Sequence, residues 1–338
     1  MPEAEQAQAL VEALSPSEPL DAHYTRVLKA IVDGRVVPFL GAGVNLWERL
    51  PAGPWRRGQD LPSGGQLSTY LIEEFDYPKE ETADLLRVSQ YVTVMTGSGP
   101  LYEKLHILFD ADYPPTPLHE FFATLPSALC KKESPPRYQL LVTTNYDDVL
   151  ERAFLAAGES FDVITYMADG DHSRKFLHRL PDGEIRLIDR PNEYVALPIE
   201  MPSLVMKRPV ILKIHGTVDR VEPERDSYVI TEDHYIDYLT HTNISNLMPK
   251  ALVAKLTRSH FLFLGYSLRD WNLRVILRRL WGERKLTYKS WAIQKDPDRL
   301  EREFWSKRDV DIYAVSLENY IAALNKRVDA LPRAASAP

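Results

Sequence analysis

Apolar positions along the chain fall into two spacings, and the switches between them outline the architecture. Residues 20–34, LDAHYTRVLKAIVDG, repeat apolar side chains every three and four positions, which predicts a helix stopped at Gly34. RVVPFL follows as a short apolar strand that runs into the glycine turn at 41–43. From Val44 to about Pro136 the pattern is helical again, in GGQLSTYLIEEF, ETADLLRVSQYVTVMTG, LYEKLHILFD and PLHEFFATL, cut by Pro and Gly. Strand-like runs then return as YQLLVTTN (138–145), FDVITYM (161–167), PVILKIHG (209–216), HFLFLGYS (260–267), KSWAIQ (289–294) and DVDIYAV (309–315). Several lead into helical patterns, such as DDVLERAFLAAG and DWNLRVILRRLW.

Near-continuous apolar strands alternating with helices predict a mostly parallel sheet covered on both faces. The expected fold class is therefore α/β, a doubly wound Rossmann-like sheet with an inserted helical subdomain. The expected boundaries are a partly disordered lead-in at 1–18, a core formed by 19–43 and 137–330, and a helical insertion at 44–136. HRLPDGEIRLID departs from the pattern: Asp182–Gly183 between two strand-like runs predicts a hairpin. The sequence has no internal repeat and no long low-complexity tract.

Composition narrows the classes. A chain of 338 residues has room for two domains or one domain with an insertion, and 44% apolar with 26% charged residues is ordinary globular material. No run of about 18 apolar residues predicts a membrane span, and the first twenty residues lack the basic-then-apolar order of a secretory signal. One cysteine, Cys130, excludes a disulfide framework and a four-cysteine zinc ribbon within this chain and suits a reducing cytoplasm. A net charge of −7 argues against direct binding of nucleic acid.

Candidate chemistry gathers at the ends of predicted strands. In a doubly wound sheet, ligands bind beyond the carboxyl ends of the strands. Gly41 and Gly43 end the first strand, where a bare backbone lets a pyrophosphate approach and the next helix presents N–H groups to it. The full G-x-G-x-x-G and a P-loop lysine are absent, so the turn equally fits close strand–helix packing. TTNYD places Thr143, Thr144, Asn145 and Asp147 after a second strand, with Asn145 or Asp147 available as a helix cap. KIHG places His215 and Gly216 after a third, and GYSLRD places Gly265, Tyr266, Ser267 and Asp270 after a fourth. Parallel strands put all four ends on one edge, where their polar groups meet in one crevice.

FLGAGVN, TTNYD, KIHG and FLFLGYSLRD, in this order, resemble the sirtuin-like NAD-consuming family, and most closely its bacterial branch found in anti-phage defence. LPSGGQLSTYL resembles that branch's entry to the helical insertion. The resemblance covers about residues 25–316. It implies that Gly41, Ala42, Gly43, Val44 and Asn45 line the pyrophosphate and ribose side, with Asn45 standing where the family often has Ser. It implies that Thr144, Asn145 and Asp147 line the nicotinamide and ribose pocket. His215 matches the family's catalytic histidine, and Gly265, Tyr266 and Ser267 match the turn near the adenosine half.

The expected reaction is hydrolysis of NAD to nicotinamide and ADP-ribose. Breaking the nicotinamide–ribose bond builds positive charge on the sugar. Asn145 is expected to orient water or ribose hydroxyls, and His215, with a reference pKa of about 6.5, to accept a proton. Protein deacylation, cyclisation or ADP-ribosyl transfer are the competing reactions; family deacylases carry a four-cysteine zinc module that one cysteine cannot form. A non-catalytic NAD or ADP-ribose sensor is the alternative of a different class. No metal is expected. A free NAD-degrading enzyme is toxic, so control through a homo-oligomer and a partner is expected, the resemblance implying a HerA-type ATPase or another defence protein.

Other signals have plain readings. His172 and His178 lack a carboxylate pair or Cys to complete a metal site. The arginines of RDWNLRVILRRLWGERK read as the wet face of a helix. Cys130 has no neighbouring base and reads as inert.

Overall fold

A computed structural model describes residues 19–47, 49, 55–78, 81, 84–132, 137–240, 247–266, 277 and 288–332. The predicted lead-in and all of DWNLRVILRRLW except Leu277 lie outside these residues. Helix α1 (Leu20–Val32) turns at Gly34, whose φ of +65° suits glycine, into strand β1 (Val36–Leu40). Among the described residues, four helices follow: α2 (Gly64–Glu74), α3 (Leu85–Thr96), α4 (Ser98–Phe109) and α5 (Pro117–Cys130). Strand β2 (Leu140–Thr143) and helix α6 (Val149–Ala156) then lead to β3 (Asp162–Tyr166). Strands β4 (Phe176–Arg179) and β5 (Ile185–Ile188) form the hairpin expected at Asp182–Gly183, with Gly183 at φ +89°. The two-residue pair β6 (Ile199–Glu200) and β7 (Val205–Met206) precedes β8 (Val210–Lys213). A second such pair, β9 (Gly216–Thr217) and β10 (Ser227–Tyr228), comes after it. The chain continues through α7 (Glu232–Thr240), α8 (Lys250–Thr257), β11 (His260–Leu264), β12 (Ser290–Gln294), α9 (Arg299–Ser306), β13 (Val310–Ala314) and α10 (Leu317–Asp329).

The main sheet has the order β13-β12-β11-β1-β2-β8-β3-β4-β5. It is parallel from β13 through β3, and the hairpin adds two antiparallel strands at one edge. The chain leaves β1 for β2 on one side and returns at β11 on the other, so the topological switch point lies between β1 and β11. Period-2 alternation splits each strand between two cores. Val36, Leu40, Leu141, Ile211, Leu262 and Trp291 pack with α1, α5, α6 and α10. Val37, Phe39, Val142, Leu212, Phe261 and Phe263 pack on the other face with α8, α9 and the 197–206 segment. The fold is thus a doubly wound, mostly parallel, Rossmann-like α/β sheet. No helix among the described residues is long and apolar enough to cross a membrane.

The helices between β1 and β2 divide by packing partner. Helix α5 joins the sheet core through Leu118, Phe121, Phe122, Leu125 and Leu129. Helices α2, α3 and α4 build a separate apolar cluster with Val149, Val218, Tyr228 and Ile230. Polar contacts tie this layer down: His106 Nδ1 lies 2.8 Å from Asp226, Gln90 donates to Asp233 at 2.8 Å, and Arg220 donates to Asp112 and to the Ala111 carbonyl.

One buried ion pair braces the junction of β8 and α6. Lys213 donates to Glu151 at 2.8 Å and also to the Asp147 carbonyl, with both side chains almost without exposure. Removing one partner strands a charge in apolar surroundings, whereas replacing both does not. Lys213→Met alone should cost about 3–5 kcal/mol in urea unfolding, and Lys213→Met with Glu151→Leu should recover most of that loss.

Candidate functional site

The glycine turn after β1 is held by a second turn. Gly41 N–H donates to the Leu264 carbonyl at 3.0 Å and Gly43 N–H to the Gly265 carbonyl at 2.8 Å. A Cβ on Gly41 would stand 2.5 Å from the Tyr266 ring, and one on Gly43 would stand 2.6 Å from the Gly265 carbonyl oxygen. Gly265 has φ +66°, and its Cβ would lie 2.3 Å from the Val44 nitrogen. Packing of one turn on the other therefore requires these glycines; the contact is turn against turn, not the strand–helix packing that the sequence left open. The residues after Gly41 form a single 3-10 turn, Ala42–Asn45, in place of the expected helix. That tight turn rotates Val44 inward. Its side chain is fully buried in the sheet core and does not border the crevice, which corrects its expected place beside the dinucleotide.

Strands β2 and β8 supply the polar groups opposite. Thr143 pairs in register with Lys213, so Asn145 and His215 sit at equivalent places two residues past the two strand ends. Thr143 shapes this exit: its hydroxyl donates to the Leu40 carbonyl at 3.1 Å and accepts from the Asn145 N–H at 3.0 Å. The Thr144 N–H donates to the same carbonyl, and the Asn145 amide reaches the Gly41 carbonyl at 3.4 Å. Asp147 divides its carboxylate. One oxygen accepts the Val149 N–H at 3.1 Å, starting α6, and the other accepts the Asn45 side-chain amide at 3.1 Å.

These ends enclose a cavity of about 390 Å³. Gly41, Ala42, Gly43, Asn45, Thr144, Asn145, Asp147, His215, Gly265 and Tyr266 line it; Ser267 and Asp270 lie outside the described residues. Sequence reasoning missed Leu46, Leu61, Pro62, Ser63, Gly64, Leu67, Leu85, Phe109, Tyr146 and Tyr235, which complete the wall. The start of α2 was legible: Ser63 accepts the Gln66 N–H while Gln66 accepts the Ser63 N–H, a reciprocal cap spelled S-x-x-Q. It brings Gly64, in the first turn, to the wall of the cavity, where a Cβ would meet nothing within 4 Å.

Burial sets the charge states. It pushes the His215 imidazole down to about 3, so the ring is neutral at ordinary pH, a correction to the reference value expected from sequence. Its edge meets the Tyr235 ring with centroids 5.7 Å apart. Burial raises the Asp147 carboxyl above its usual range, while Lys213, the Val149 N–H and the Asn45 amide pull it back. No cluster of three His, Cys, Asp or Glu side chains that could hold a metal occurs among the described residues.

A crevice at the carboxyl ends of parallel strands, astride the switch point, is where doubly wound α/β proteins place their ligands. Within that class the chain belongs to the SIR2-like family, whose domain profile, described as "SIR2-like domain", matches residues 139–313. It is 26% identical over 295 residues to Defense-associated sirtuin 2 of Bacillus subtilis, covering 84% of this chain and 23% of that protein. It is 27% identical over 260 residues to NAD(+) hydrolase ThsA of Acinetobacter baumannii (strain 532279), covering 75% of this chain and 41% of that protein. The chain thus spans well under half the length of either relative.

Two outcomes follow for stability. Gly265→Ala should cost at least about 2 kcal/mol in urea unfolding, through strained φ and overlap with Val44, while Gly64→Ala should stay within about 0.5 kcal/mol. His215 and His23 are lowered to about 3 and His119 to about 4, all chiefly by burial. Unfolded, each binds a proton near pH 6.5, so the unfolded state holds more protons between those values and stability falls with pH. The melting temperature should drop steadily from pH 6.5 to 4, with a shallower slope in His119→Gln.

Proposed function

We propose that this chain is an NAD-using enzyme that hydrolyses NAD to nicotinamide and ADP-ribose. The carrying observation is that Asn145 and His215, level on neighbouring strands, border one cavity with the 41–43 turn and the α2 N-terminus. The residues fit a dinucleotide. The Asn45 side-chain oxygen is buried with no hydrogen-bond partner among the described residues, which a ribose hydroxyl would supply. The first-turn amide of Gly64 suits a pyrophosphate better than the Gly43 amide, which Gly265 already occupies. The relative named NAD(+) hydrolase supports the reaction, and the relative named Defense-associated sirtuin supports the setting.

In the reaction the C–N bond from nicotinamide to ribose breaks, its electron pair leaves with nicotinamide, and water adds at the sugar carbon with loss of a proton. Positive charge grows on the ribose as the bond opens. A neutral imidazole at His215 adds no opposing charge there and accepts a hydrogen bond from a ribose hydroxyl. The Asn145 amide, which is no base, orients the water or the hydroxyls by hydrogen bonding. Asp147, through Asn45, fixes the sugar side of the crevice. NAD depletion in anti-phage defence is the role that fits these parts, with control by self-assembly and a partner such as a HerA-type ATPase. A four-cysteine zinc module of the deacylase kind cannot be built from one cysteine.

Nicotinamide release from NAD should be measured across protein concentration, with and without an acetyl-lysine peptide. Asn145→Ala and His215→Ala should each lower the rate by about 100-fold or more with the melting curve preserved. Full activity in both folded variants would overturn the residue roles. Deacylation keeping pace with nicotinamide release would replace hydrolysis by deacylation, and ADP-ribose binding with no turnover in any condition would make the chain a sensor.

A further inference from the structure

A second cavity, of about 350 Å³, opens at the opposite edge of the sheet. Its walls come from residues just ahead of strands: Gly34 and Arg35 before β1, Arg137 and Tyr138 before β2, and Arg258 and Ser259 before β11. The 202–206 segment closes one side. The two cavities therefore lie a strand length apart, about 15 Å.

This wall is cationic in a chain whose net charge is −7. Lys255 of α8 is buried in it and donates to the Gly34 carbonyl at 2.7 Å and the Leu204 carbonyl at 3.1 Å. An ammonium has three N–H groups, so one remains uncommitted among the described residues. Leu204 is held at φ +58°, a conformation unusual for a side-chain-bearing residue, while offering that carbonyl. Burial, reinforced by repulsion from Arg137 and Arg35, pushes the Lys255 ammonium down to about 8. Among the described residues, no ion pair or hydrogen bond engages the guanidinium of Arg35, Arg137 or Arg258. Asp33 is the one carboxylate among the described residues on the wall. Three guanidinium forks and an ammonium around one space match an anion with several oxygens and more than one charge.

We propose that this cavity binds a small phosphate-bearing anion, independently of the crevice at the other edge of the sheet. Tyr138 and Tyr288 are also among its lining residues, and an aromatic ring can stack on a nucleoside base, so the anion is either a nucleotide or an inorganic phosphate species. Inorganic pyrophosphate and AMP, titrated by calorimetry into the full chain at low salt, distinguish the two sources. At least one should bind and raise the melting temperature, by linkage. Tighter AMP points to a nucleotide, and tighter pyrophosphate to the inorganic anion.

The double variant Arg35→Gln, Arg258→Gln removes two exposed side chains and should keep the ligand-free melting temperature and the rate of nicotinamide release from NAD. It should weaken binding of the preferred anion at least tenfold. No binding of either anion, or equal binding by wild type and double variant, would overturn the proposal. AMP held only in the crevice would show itself as the second of these.

Discussion

The fold turns on the contact between two bare turns, in which the amide of Gly43 meets the carbonyl of Gly265. That contact clamps the ends of β1 and β11 together across the point where the chain reverses direction through the sheet. Side chains cannot intrude there, because a methyl group on any of the three glycines would overlap backbone or the Tyr266 ring. The floor of the crevice is consequently made largely of peptide groups, and residues from the neighbouring exits of β2 and β8 line it beside Asn45. Parallel register then decides which ones, by setting Asn145 level with His215.

The polar groups of the crevice are also structural members. Asp147 starts a helix while holding Asn45, and Thr143 holds the Asn145 backbone while bonded to Leu40. Beneath them the Lys213–Glu151 pair fills the junction of β8 and α6. Such groups have few rotamers left to lose on binding, so a ligand meets a site already arranged. The same enclosure removes water from His215 and keeps its ring neutral.

Much of this was legible in the chain itself. The apolar runs mark every parallel strand, as KSWAIQ does for Ser290–Gln294, because strands buried on both faces leave little room for polar residues. Asp182–Gly183 marks the hairpin, since Gly183 adopts a backbone conformation that suits glycine. The two-residue pairs β6–β7 and β9–β10 are too short to leave any periodicity. Helix α5 has the same spacing as α2 to α4, and spacing says nothing of which apolar surface a helix meets. Val44 looks like part of a ligand turn in sequence, yet the 3-10 geometry sends it into the core. Phe109 and Tyr235 belong to helical patterns that do not reveal that these rings border a cavity. The acidity of His215 depends on burial from every side, which no local motif records.

The divided carboxylate of Asp147 has a consequence for how such a chain can vary over time. Its two oxygens serve the first turn of α6 and the amide of Asn45, so neither Asn45 nor Asp147 is an independent letter. Replacing Asn45 by a residue without an amide leaves a buried oxygen unmatched, and replacing Asp147 releases both the helix start and Asn45. Descendants of this sequence would therefore change the two positions in concert, and a lineage carrying a shorter side chain at 45 should show a matching adjustment at 147.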